Sequence, residues 1–496
     1  MQDVEPAGRR QVRRCLTLCC DHGTMMGMAK ATSELLRVLG PGTAVAVVAG
    51  SMIGSGIFLK PQAVAQAVPH FGLALTAWVV GGILALLGAL AVAELSVLFP
   101  RAGGNYVYLR ETYGPLWGFL WGWVDFWILR TGSIAALATV FARCAIQVVG
   151  LESVPVARAS GVAAAAIAVL AGVNVLGARW GGFLQNLTTW IKVASLLLLA
   201  CLPFVSGRAD LSLATASMTD QPLPWTGLGA AVLAVLWAYH GWMNLGPLAE
   251  EIREPQRYLP PALFTGVGLV MALYLAVNVA YGLTLSQEVL ADPGDHQVVA
   301  IRFVQEALAP YGGQGIAARL IAAAIMVSVF GALNANILIG PRTYFALGRE
   351  GLFPQWLGAV HARFYTPARA IVLQAVWAVV LLFRAPLIQD DPRENPFDTL
   401  TNYVMFAAII FETMVVFGVV VLRWRCPQAP RLYRCPACPW IPVGYTLALA
   451  CVLLNTVYTQ PTKSALGLLF IFCGALVYCL TRTRQTSPLQ SSGPGA

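Results

Sequence analysis

Residues 42–61 read Gly42-Thr-Ala-Val-Ala-Val-Val-Ala-Gly-Ser-Met-Ile-Gly-Ser-Gly-Ile-Phe-Leu-Lys-Pro61, an apolar stretch long enough to cross a bilayer. Glycines occupy its middle, at Gly50, Gly54 and Gly56. Because glycine costs about 1 kcal/mol per site inside a helix, this cluster predicts a helix that is interrupted. Lipid cannot hydrogen-bond the freed peptide groups, so an interruption at membrane depth must be buried in protein or line a cavity. The stretch therefore indicates a ligand site, and close helix packing through small residues is the alternative.

The composition predicts a membrane protein. Hydrophobic residues make up 58% of the chain and charged residues only 11%, whereas soluble domains contain about 25% charged residues. The formal net charge of +9 does not indicate a nucleic-acid partner, because the basic residues are distributed over short loops. We therefore expect an all-α integral membrane protein surrounded by the lipid bilayer.

About twelve apolar runs of spanning length follow one another along the chain. We number them runs 1 to 12; they cover 40–65, 71–98, 115–145, 159–178, 184–206, 226–250, 259–284, 315–347, 366–386, 398–422, 440–459 and 462–481. Run 8 is longer than a span, and the polar segment 99–114 is predicted to be re-entrant or interfacial. The predicted domains are a cytoplasmic segment 1–38, a membrane-spanning domain 39–484 and a disordered tail 485–496. The alternative translation starts are Met25, Met26 and Met28.

Basic residues accumulate in the loops on one side of these runs. They precede run 1, follow runs 6, 8 and 10, and come after run 12, at Arg9, Arg10, Arg13, Arg14, Lys30, Arg37, Arg253, Arg257, Arg342, Arg349, Arg363, Arg369, Arg423, Arg425, Arg431, Arg434, Arg482 and Arg484. The opposite loops contain the acidic residues Glu288, Asp292, Asp295, Asp390, Asp391 and Glu394. The positive-inside rule predicts that the basic loops and both termini are cytoplasmic, in a multi-pass protein of the plasma membrane.

Run 6 contains a second interruption. Its sequence, Trp237-Ala-Tyr-His-Gly-Trp-Met-Asn244, places polar and glycine residues where the middle of the membrane would be. Run 6 comes five runs after run 1. Two interrupted helices at corresponding positions of two five-helix halves are typical of transporters built from an inverted repeat. Because five is an odd number, we expect the second half to enter the membrane from the opposite face.

An interrupted helix offers complementary groups to a zwitterion. The free N–H groups over residues 55–57 suit a carboxylate, and free carbonyl groups near Met52, Trp237 and His240 suit an ammonium. No acidic side chain falls within either interruption, so a substrate with an additional positive charge has no evident partner. Neutral amino acids are therefore the expected substrates.

The sequence does not predict an enzyme, a metal site or a cofactor. No nucleophile–base pair and no group of metal ligands occurs within the apolar runs. Cys435-Pro-Ala-Cys438 has the spacing of a zinc site but lacks a second pair of ligands. From another functional class, the rival hypothesis is a channel or a non-translocating amino acid receptor, although no ring of charges and no filter-like loop is present.

The chain contains four groups of motifs. They are Gly50-Ser-Met-Ile-Gly-Ser-Gly-Ile-Phe58; Ala93-Glu-Leu-Ser96 with Pro100-Arg-Ala-Gly-Gly-Asn-Tyr-Val-Tyr108; Trp237-Ala-Tyr-His-Gly-Trp242 with Glu250-Glu251; and Gly331-Ala-Leu-Asn334 through Gly340-Pro-Arg-Thr-Tyr-Phe-Ala-Leu-Gly-Arg-Glu-Gly351. Together they resemble the L-type amino acid transporter family of the amino acid–polyamine–organocation superfamily. The resemblance extends over most of the chain. It implies a LeuT-like fold with a 5+5 inverted repeat and sodium-independent exchange of L-amino acids. The alternative on the same fold is a proton-coupled amino acid or polyamine symporter.

The resemblance also implies a substrate site at the two interruptions. Ser55 and Gly56 match carboxylate-binding residues, and residues 51–53 line the amine side. Trp237 stands where the family has an aromatic gate, and the alternative is an interfacial anchor. The full predicted set is Ser51, Met52, Ile53, Gly54, Ser55, Gly56, Trp237, Ala238, His240 and Tyr403, with aromatic packing as the alternative for Tyr403.

Lys192 lies within the apolar run 5. A charge inside a membrane segment indicates a function by default, and snorkelling of the side chain to the interface is the alternative. The position resembles that of a family lysine whose ammonium stands in for a sodium ion between runs 1 and 8, which would explain coupling without sodium. Lys192 as a proton carrier would instead make the protein a symporter.

Three further intramembrane charges are expected to be structural, with a role in the substrate pathway as the alternative, whereas for Glu412 neither role is favoured. Glu412 in run 10 has no assigned partner in the sequence. His240 stands where relatives commonly carry Gly or Asp, and Met243 where Asn is common, so the side-chain preference of the pocket stays open. His240 is also able to titrate near neutral pH, or to remain neutral and hydrogen-bonded. The residues expected to form structural pairs are Glu94, Asp125 and Arg130.

The resemblance raises the question of a partner subunit. Eukaryotic family members bond a heavy-chain glycoprotein through a cysteine in the loop between the third and fourth helices. The stretch Val148–Ala159 contains no cysteine, and Cys144 falls within the end of run 3. We therefore expect no disulfide-linked heavy chain. The predicted function is exchange of neutral L-amino acids by alternating access.

Overall fold

The structure of the protein, a computed structural model, describes residues 35–68, 70–151, 155–215, 225–293, 298–311, 314–384 and 396–485. The N-terminal segment up to residue 34, with the alternative translation starts, and the tail from residue 486 lie outside the described residues. Within the described ranges the chain is built from helices. The labelled helices are α1 (Pro41–Met52), α2 (Gly56–Ala67), α3 (Phe71–Leu98), α4 (Asn105–Tyr113), α5 (Pro115–Val124), α6 (Arg130–Val149), α7 (Val156–Leu176), α8 (Ala178–Val205), α9 (Leu211–Thr215), α10 (Trp225–Tyr239), α11 (Pro255–Gly282), α12 (Gln287–Ala291), α13 (Val299–Ala307), α14 (Gln314–Arg349), α15 (Ala368–Arg384), α16 (Pro396–Arg425), α17 (Trp440–Thr459) and α18 (Pro461–Gln485).

The predicted runs fold as helices that fit a membrane. Eleven spans in the described part of the chain are long and apolar enough to cross it, judged by length and composition. Run 9 forms α15, which has 17 residues, and run 8 forms the 36-residue α14. The all-α, multi-pass architecture expected from the sequence is confirmed.

Both predicted interruptions are present. In run 1, α1 ends at Met52 and α2 begins at Gly56, with a bend between them. In run 6, α10 ends at Tyr239, and the chain continues as the 3₁₀ helix Trp242–Glu251 after a turn. Gly241 in this turn has φ +118°, a conformation that glycine adopts without the steric cost other residues incur.

Runs 1 and 6 lie in opposite directions. The backbone N–H of Leu39, just before α1, donates to the carbonyl of Glu251 at 3.0 Å, and the N–H of Arg253 donates back to Leu39 at 2.9 Å. The beginning of run 1 therefore meets the end of run 6 at the same face of the molecule. This arrangement agrees with a second half that enters the membrane from the opposite side.

Several basic loops meet at one face of the molecule. Glu94 near the end of α3 pairs with Arg423 at 2.7 Å and with Arg431 at 3.0 Å, which confirms a structural role for Glu94. Glu250 at the end of run 6 pairs with Arg349 at 3.2 Å. We call the surface formed by Glu94, Glu250, Arg349, Arg423 and Arg431 the basic face. The short helix α4, within the segment predicted to be re-entrant, is mostly buried and follows this face.

One ion pair behind the basic face is buried. Arg342 of α14 donates from Nε to Oε1 of Glu251 at 2.7 Å and from Nη2 to Oε2 at 3.1 Å. The two side chains are 0% and 1% exposed, respectively. Removing one partner of a buried pair leaves an uncompensated charge, whereas exposed pairs contribute little. This pair therefore fixes the end of run 6 to α14.

Glu251→Gln is expected to destabilise the protein strongly, by about 3–5 kcal/mol, because it leaves the buried guanidinium of Arg342 without a countercharge. The measurement is the thermal unfolding midpoint of the purified protein in detergent. The matched control is Glu254→Gln, since Glu254 is 62% exposed and its pair with Arg257 spans 3.4 Å. Equal shifts for the two variants would contradict the structural role of the buried pair.

Candidate functional site

The two interruptions pack directly against each other. A Cβ atom added to Gly56 would lie 2.6 Å from Cα of Ala238, and one added to Gly241 would lie 3.0 Å from the carbonyl oxygen of Ser51. A Cβ atom at Gly56 would require the backbone of Ala238 to shift, and one at Gly241 would be tighter than nine in ten real Cβ contacts. The glycines are therefore required for contact between run 1 and run 6, in addition to their effect on helix continuity.

A single hydroxyl group satisfies the carbonyl ends of both half-helices. The hydroxyl of Tyr274 in α11 lies 2.8 Å from the carbonyl oxygen of Met52 and 3.2 Å from that of Ala238, and its single proton is shared between the two acceptors. The last carbonyls of a helix have no partner within the helix, so a buried end requires an external donor. Tyr274 supplies it for α1 and α10 together and holds their ends at a fixed separation.

Lys192 satisfies further carbonyls on another side of the first interruption. Its Nζ donates to Gly50 at 2.8 Å and to Ile53 at 2.6 Å, and the side chain is 1% exposed. The ammonium therefore does not reach the membrane interface. Ser328 of α14 donates to the carbonyl of Gly54 at 3.3 Å. Runs 5 and 8 thus contact the bend in run 1 through polar groups.

The amino end of α2 retains unused donors. Among the described residues, the backbone N–H groups of Ser55, Gly56 and Ile57 have no hydrogen-bond acceptor, as is usual for the first turn of a helix. The hydroxyls of Ser51 and Ser55 are also buried without a partner. Since a helix amino end carries partial positive charge, these groups form an anion-binding arrangement.

A cavity joins these groups to run 6. Seven predicted residues line it: Ser51, Met52, Gly54, Ser55, Gly56, Trp237 and His240. Ile53 and Ala238 do not line the cavity and contribute the carbonyl groups bound by Lys192 and Tyr274. The side chain of Tyr403 lies outside the described residues. The cavity measures about 30 Å³, which is room for a few water molecules, so a larger ligand requires the lining to move.

The cavity also has walls that the sequence reasoning missed. They are Ser133 and Leu137 of α6, Asn244 of the 3₁₀ helix, and Ala332 and Asn336 of α14. The only signal in the sequence was polarity, since asparagine is unusual in an apolar run. Polarity alone does not show which side of a helix faces the cavity, because the orientation of a helix depends on how it packs against distant helices.

Arg130 positions the two cavity asparagines. Its Nη1 donates to Oδ1 of Asn244 and to Oδ1 of Asn336, both at 3.0 Å. Its Nη2 lies 3.3 Å from Asp125, and Tyr344 donates to the other oxygen of Asp125 at 3.0 Å. The expected structural pairing of Asp125 with Arg130 is confirmed. Through it, run 6 is tied to α6 and α14.

Glu412, for which the sequence offered no partner, lies beside His240. Nδ1 of His240 and Oε1 of Glu412 are 3.0 Å apart. His240 and Asn244 also line a second, neighbouring cavity, together with Arg130 and Glu412. The imidazole ring is parallel to the indole of Trp237, with the ring centroids 6.4 Å apart. His240 therefore connects the two cavities.

The cysteine pair lies at the basic face. Burial raises the pKa of the Cys435 thiol to about 12, so the thiolate that a zinc ion requires is disfavoured there. Within the described ranges, no group of three His, Cys, Asp or Glu side chains is arranged to hold a metal ion. Cys144 is buried in α6 at 6% exposure, and the absence of a disulfide-linked heavy chain stays a prediction.

Comparisons with known proteins agree with this geometry. A family model described as amino acid permease matches residues 39–479. The serine/threonine exchanger SteT of Bacillus subtilis (strain 168) is 34% identical over 447 residues, which are 90% of this chain and 96% of that protein. The human b(0,+)-type amino acid transporter 1 is 30% identical over 468 residues, 93% of this chain and 91% of that protein. The human large neutral amino acids transporter small subunit 2 is 30% identical over 462 residues, 92% of this chain and 82% of that protein.

Gly56→Ala is expected to separate the two interruptions, because its Cβ would collide with the backbone of Ala238. Overpacking of this kind costs about 1–3 kcal/mol, which lowers the thermal unfolding midpoint. The matched control is Gly268→Ala within α11, where an added Cβ has nothing within 4 Å. There the better helix propensity of alanine leaves stability unchanged or slightly raised. A midpoint for Gly56→Ala equal to that of the control would exclude the close contact.

Proposed function

This chain belongs to the amino acid permease family, and we propose that it is a secondary transporter that exchanges neutral L-amino acids by alternating access. The family model covers residues 39–479, and the names of the relatives describe one exchanger and two transporters. The family and these relatives are transporters rather than enzymes. The two interrupted helices fit the LeuT-like fold that the resemblance implied.

The observation that carries the proposal is the set of unused donors at the amino end of α2. A substrate carboxylate accepts hydrogen bonds from the N–H groups of residues 55–57 and from the buried hydroxyl of Ser55. These donors are fixed before the ligand arrives, so binding them costs little ordering of the protein. Gly56 lets the ligand approach the backbone because no side chain stands between them.

The carbonyl end of α1 provides the complementary half of the site. Met52 already accepts a hydrogen bond from Tyr274, but a carbonyl oxygen has two lone pairs and can accept a second one. The substrate ammonium donates there and to the hydroxyl of Ser51. A ligand that carries both a carboxylate and an ammonium is thereby preferred over a ligand that carries only one of them.

The substrate side chain occupies the part of the cavity between Trp237 and α14. The small cavity supports a gating role for Trp237, since its indole has to move before a side chain is admitted. Ser133, Asn244 and Asn336 offer polar contacts beside Leu137 and Ala332. This mixed lining suits side chains that are uncharged, and it supports the proposed preference for neutral amino acids.

Lys192 takes the place of a coupling sodium ion in this proposal. Its ammonium binds carbonyl oxygens of Gly50 and Ile53, and hard cations are bound by oxygen ligands of the same kind. A fixed positive charge at this position holds the bend of run 1 without an external ion. Transport is then independent of sodium and driven by the exchanged amino acid.

The basic face is proposed to be cytoplasmic, in a protein of the plasma membrane with both termini inside. The positive-inside rule supports this orientation. The ion pairs of the basic face and the buried pair of Glu251 with Arg342 would then hold the cytoplasmic side closed. Alternating access requires these contacts to loosen when the substrate leaves on that side. We also propose that no disulfide-linked heavy chain is needed.

Exchange is tested with the purified protein in liposomes. Uptake of radiolabelled L-serine or L-leucine is expected to require unlabelled neutral amino acid inside the vesicles and to be equal in sodium and choline buffers. Empty vesicles without protein provide the background. Uptake that follows an imposed proton gradient without internal substrate would indicate a symporter instead. Binding without counterflow would indicate a receptor.

Lys192→Ala is expected to reduce exchange more than it reduces stability. A lost hydrogen bond to a charged group is worth about 1.5–3 kcal/mol, and so uptake per folded molecule should fall about tenfold or more. The control is Ser195→Ala on the same helix, since Ser195 is only partly buried and donates only to Ile191 of its own helix. Uptake that falls only in proportion to the amount of folded protein would reduce Lys192 to a structural residue.

A further inference from the structure

A buried carboxylate lies next to the proposed substrate site although neither interruption contains one. Glu412 comes from α16, and its Oε1 is 3.0 Å from Nδ1 of His240 in run 6. The side chains of Glu412 and His240 are 8% and 16% exposed, respectively. His240 lines both cavities, and Glu412 lines the second one. The sequence predicted no acidic partner for a positively charged substrate side chain, but that prediction considered only the residues within the two interruptions.

Nδ1 of His240 lies within ion-pairing distance of Oε1 of Glu412, at 3.0 Å, although the two atoms do not have the geometry of a hydrogen bond. A neutral imidazole, which carries one ring proton, beside a carboxylate gives the pair a charge of −1. Among the described residues, Nε2 of His240 has no hydrogen-bond partner. A second proton on Nε2 makes the pair neutral.

The neighbouring ionisable groups do not balance the charge of Glu412. Asp125 also interacts electrostatically with His240, but it is paired with Arg130, whose Nη1 is occupied by Asn244 and Asn336. Tyr445 of α17 lies near Glu412, and its phenol is neutral.

Lys60 and Lys192 are further buried cations near the first interruption, and neither lines either cavity. Lys192 is held by carbonyls of run 1. A buried, unbalanced carboxylate is costly, so it favours an additional positive charge close by. Within the two cavities, that charge is either a second proton on His240 or part of a ligand.

We propose that Glu412 and His240 together determine which side-chain charge the substrate site accepts. With one proton, the pair favours an amino acid whose side chain is cationic. With two protons, the imidazolium of His240 replaces that cation, and the pair favours a neutral amino acid. This inference rests on the proposed transport of amino acids and extends it to the class of side chain.

The test compares lysine with methionine, which has a similar length without the charge, as inhibitors of radiolabelled methionine uptake in liposomes. The ratio of the inhibition constant of lysine to that of methionine is expected to fall about tenfold from pH 6 to pH 8. If a cationic substrate side chain replaces one proton on the pair, this ratio can change by at most about tenfold per pH unit. Histidine is the side chain whose unperturbed pKa lies in this interval. The ratio cancels general effects of pH on the carrier.

Two variants are expected to change the ratio in opposite directions. Glu412→Gln removes the negative charge, so lysine becomes a poor inhibitor at every pH. His240→Asn keeps the carboxylate and removes the titrating group, so lysine remains a good inhibitor at every pH. The control Glu306→Gln, at a carboxylate that is 40% exposed and distant in chain position, should keep the wild-type profile.

The pH profile of the unmodified protein decides the proposal even if a variant does not fold. A ratio that is constant from pH 6 to pH 8, or lysine that never competes, would overturn it. A wild-type profile in folded Glu412→Gln would also overturn it. Failure of the wild type to take up any amino acid would instead contradict the proposed transport function, and this inference would fall with it.

Discussion

The structure depends on one constraint, which is that peptide groups freed inside a membrane cannot be satisfied by lipid. Run 1 and run 6 each lose their helical hydrogen bonds at the same depth. Tyr274 and Lys192 satisfy the carbonyl side of these interruptions from α11 and α8. In the described part of the chain, the N–H groups at the amino end of α2 have no such partner, and Ser55 and Gly56 line a cavity. The carbonyl groups of the interrupted helices therefore have protein donors, whereas the N–H groups stay available. Available donors of this kind are what a ligand site requires.

The same glycines permit both the close packing of the helices and the formation of the cavity. Gly56 contacts the backbone of Ala238, and Gly50 is so close to α8 that a Cβ atom would lie 2.2 Å from the side chains of Gln185 and Thr189. The helix interruption and the tight helix contact therefore occur together at the glycine cluster. The interrupted helices meet because their glycines permit it, and the cavity forms where they meet.

Charges inside the molecule fall into two groups. Most of them form pairs that hold elements together: Asp125 with Arg130 at the cavity wall, and Glu251 with Arg342 behind the basic face. Their replacement is expected to affect stability first. Glu412 differs, because its described partner is a titratable histidine shared by two cavities. Such a pair can change its charge without a change in fold, and so it is suited to substrate selection rather than to structure.

The sequence by itself determined the membrane architecture, because about twenty apolar residues in succession have no other stable environment, and glycine clusters located both interruptions. It also located the residues of run 1 that line the cavity, since backbone groups at a break are exposed whatever the surrounding fold. Only the tertiary structure decided which side chains complete the site. Asn336 and Ser133 join it from α14 and α6, and Glu412 meets His240 from α16, a contact across 172 positions that no local pattern encodes. The position of a residue along a helix shows which other residues share its face of that helix. Which residues of other helices contact that face depends on how the distant helices pack.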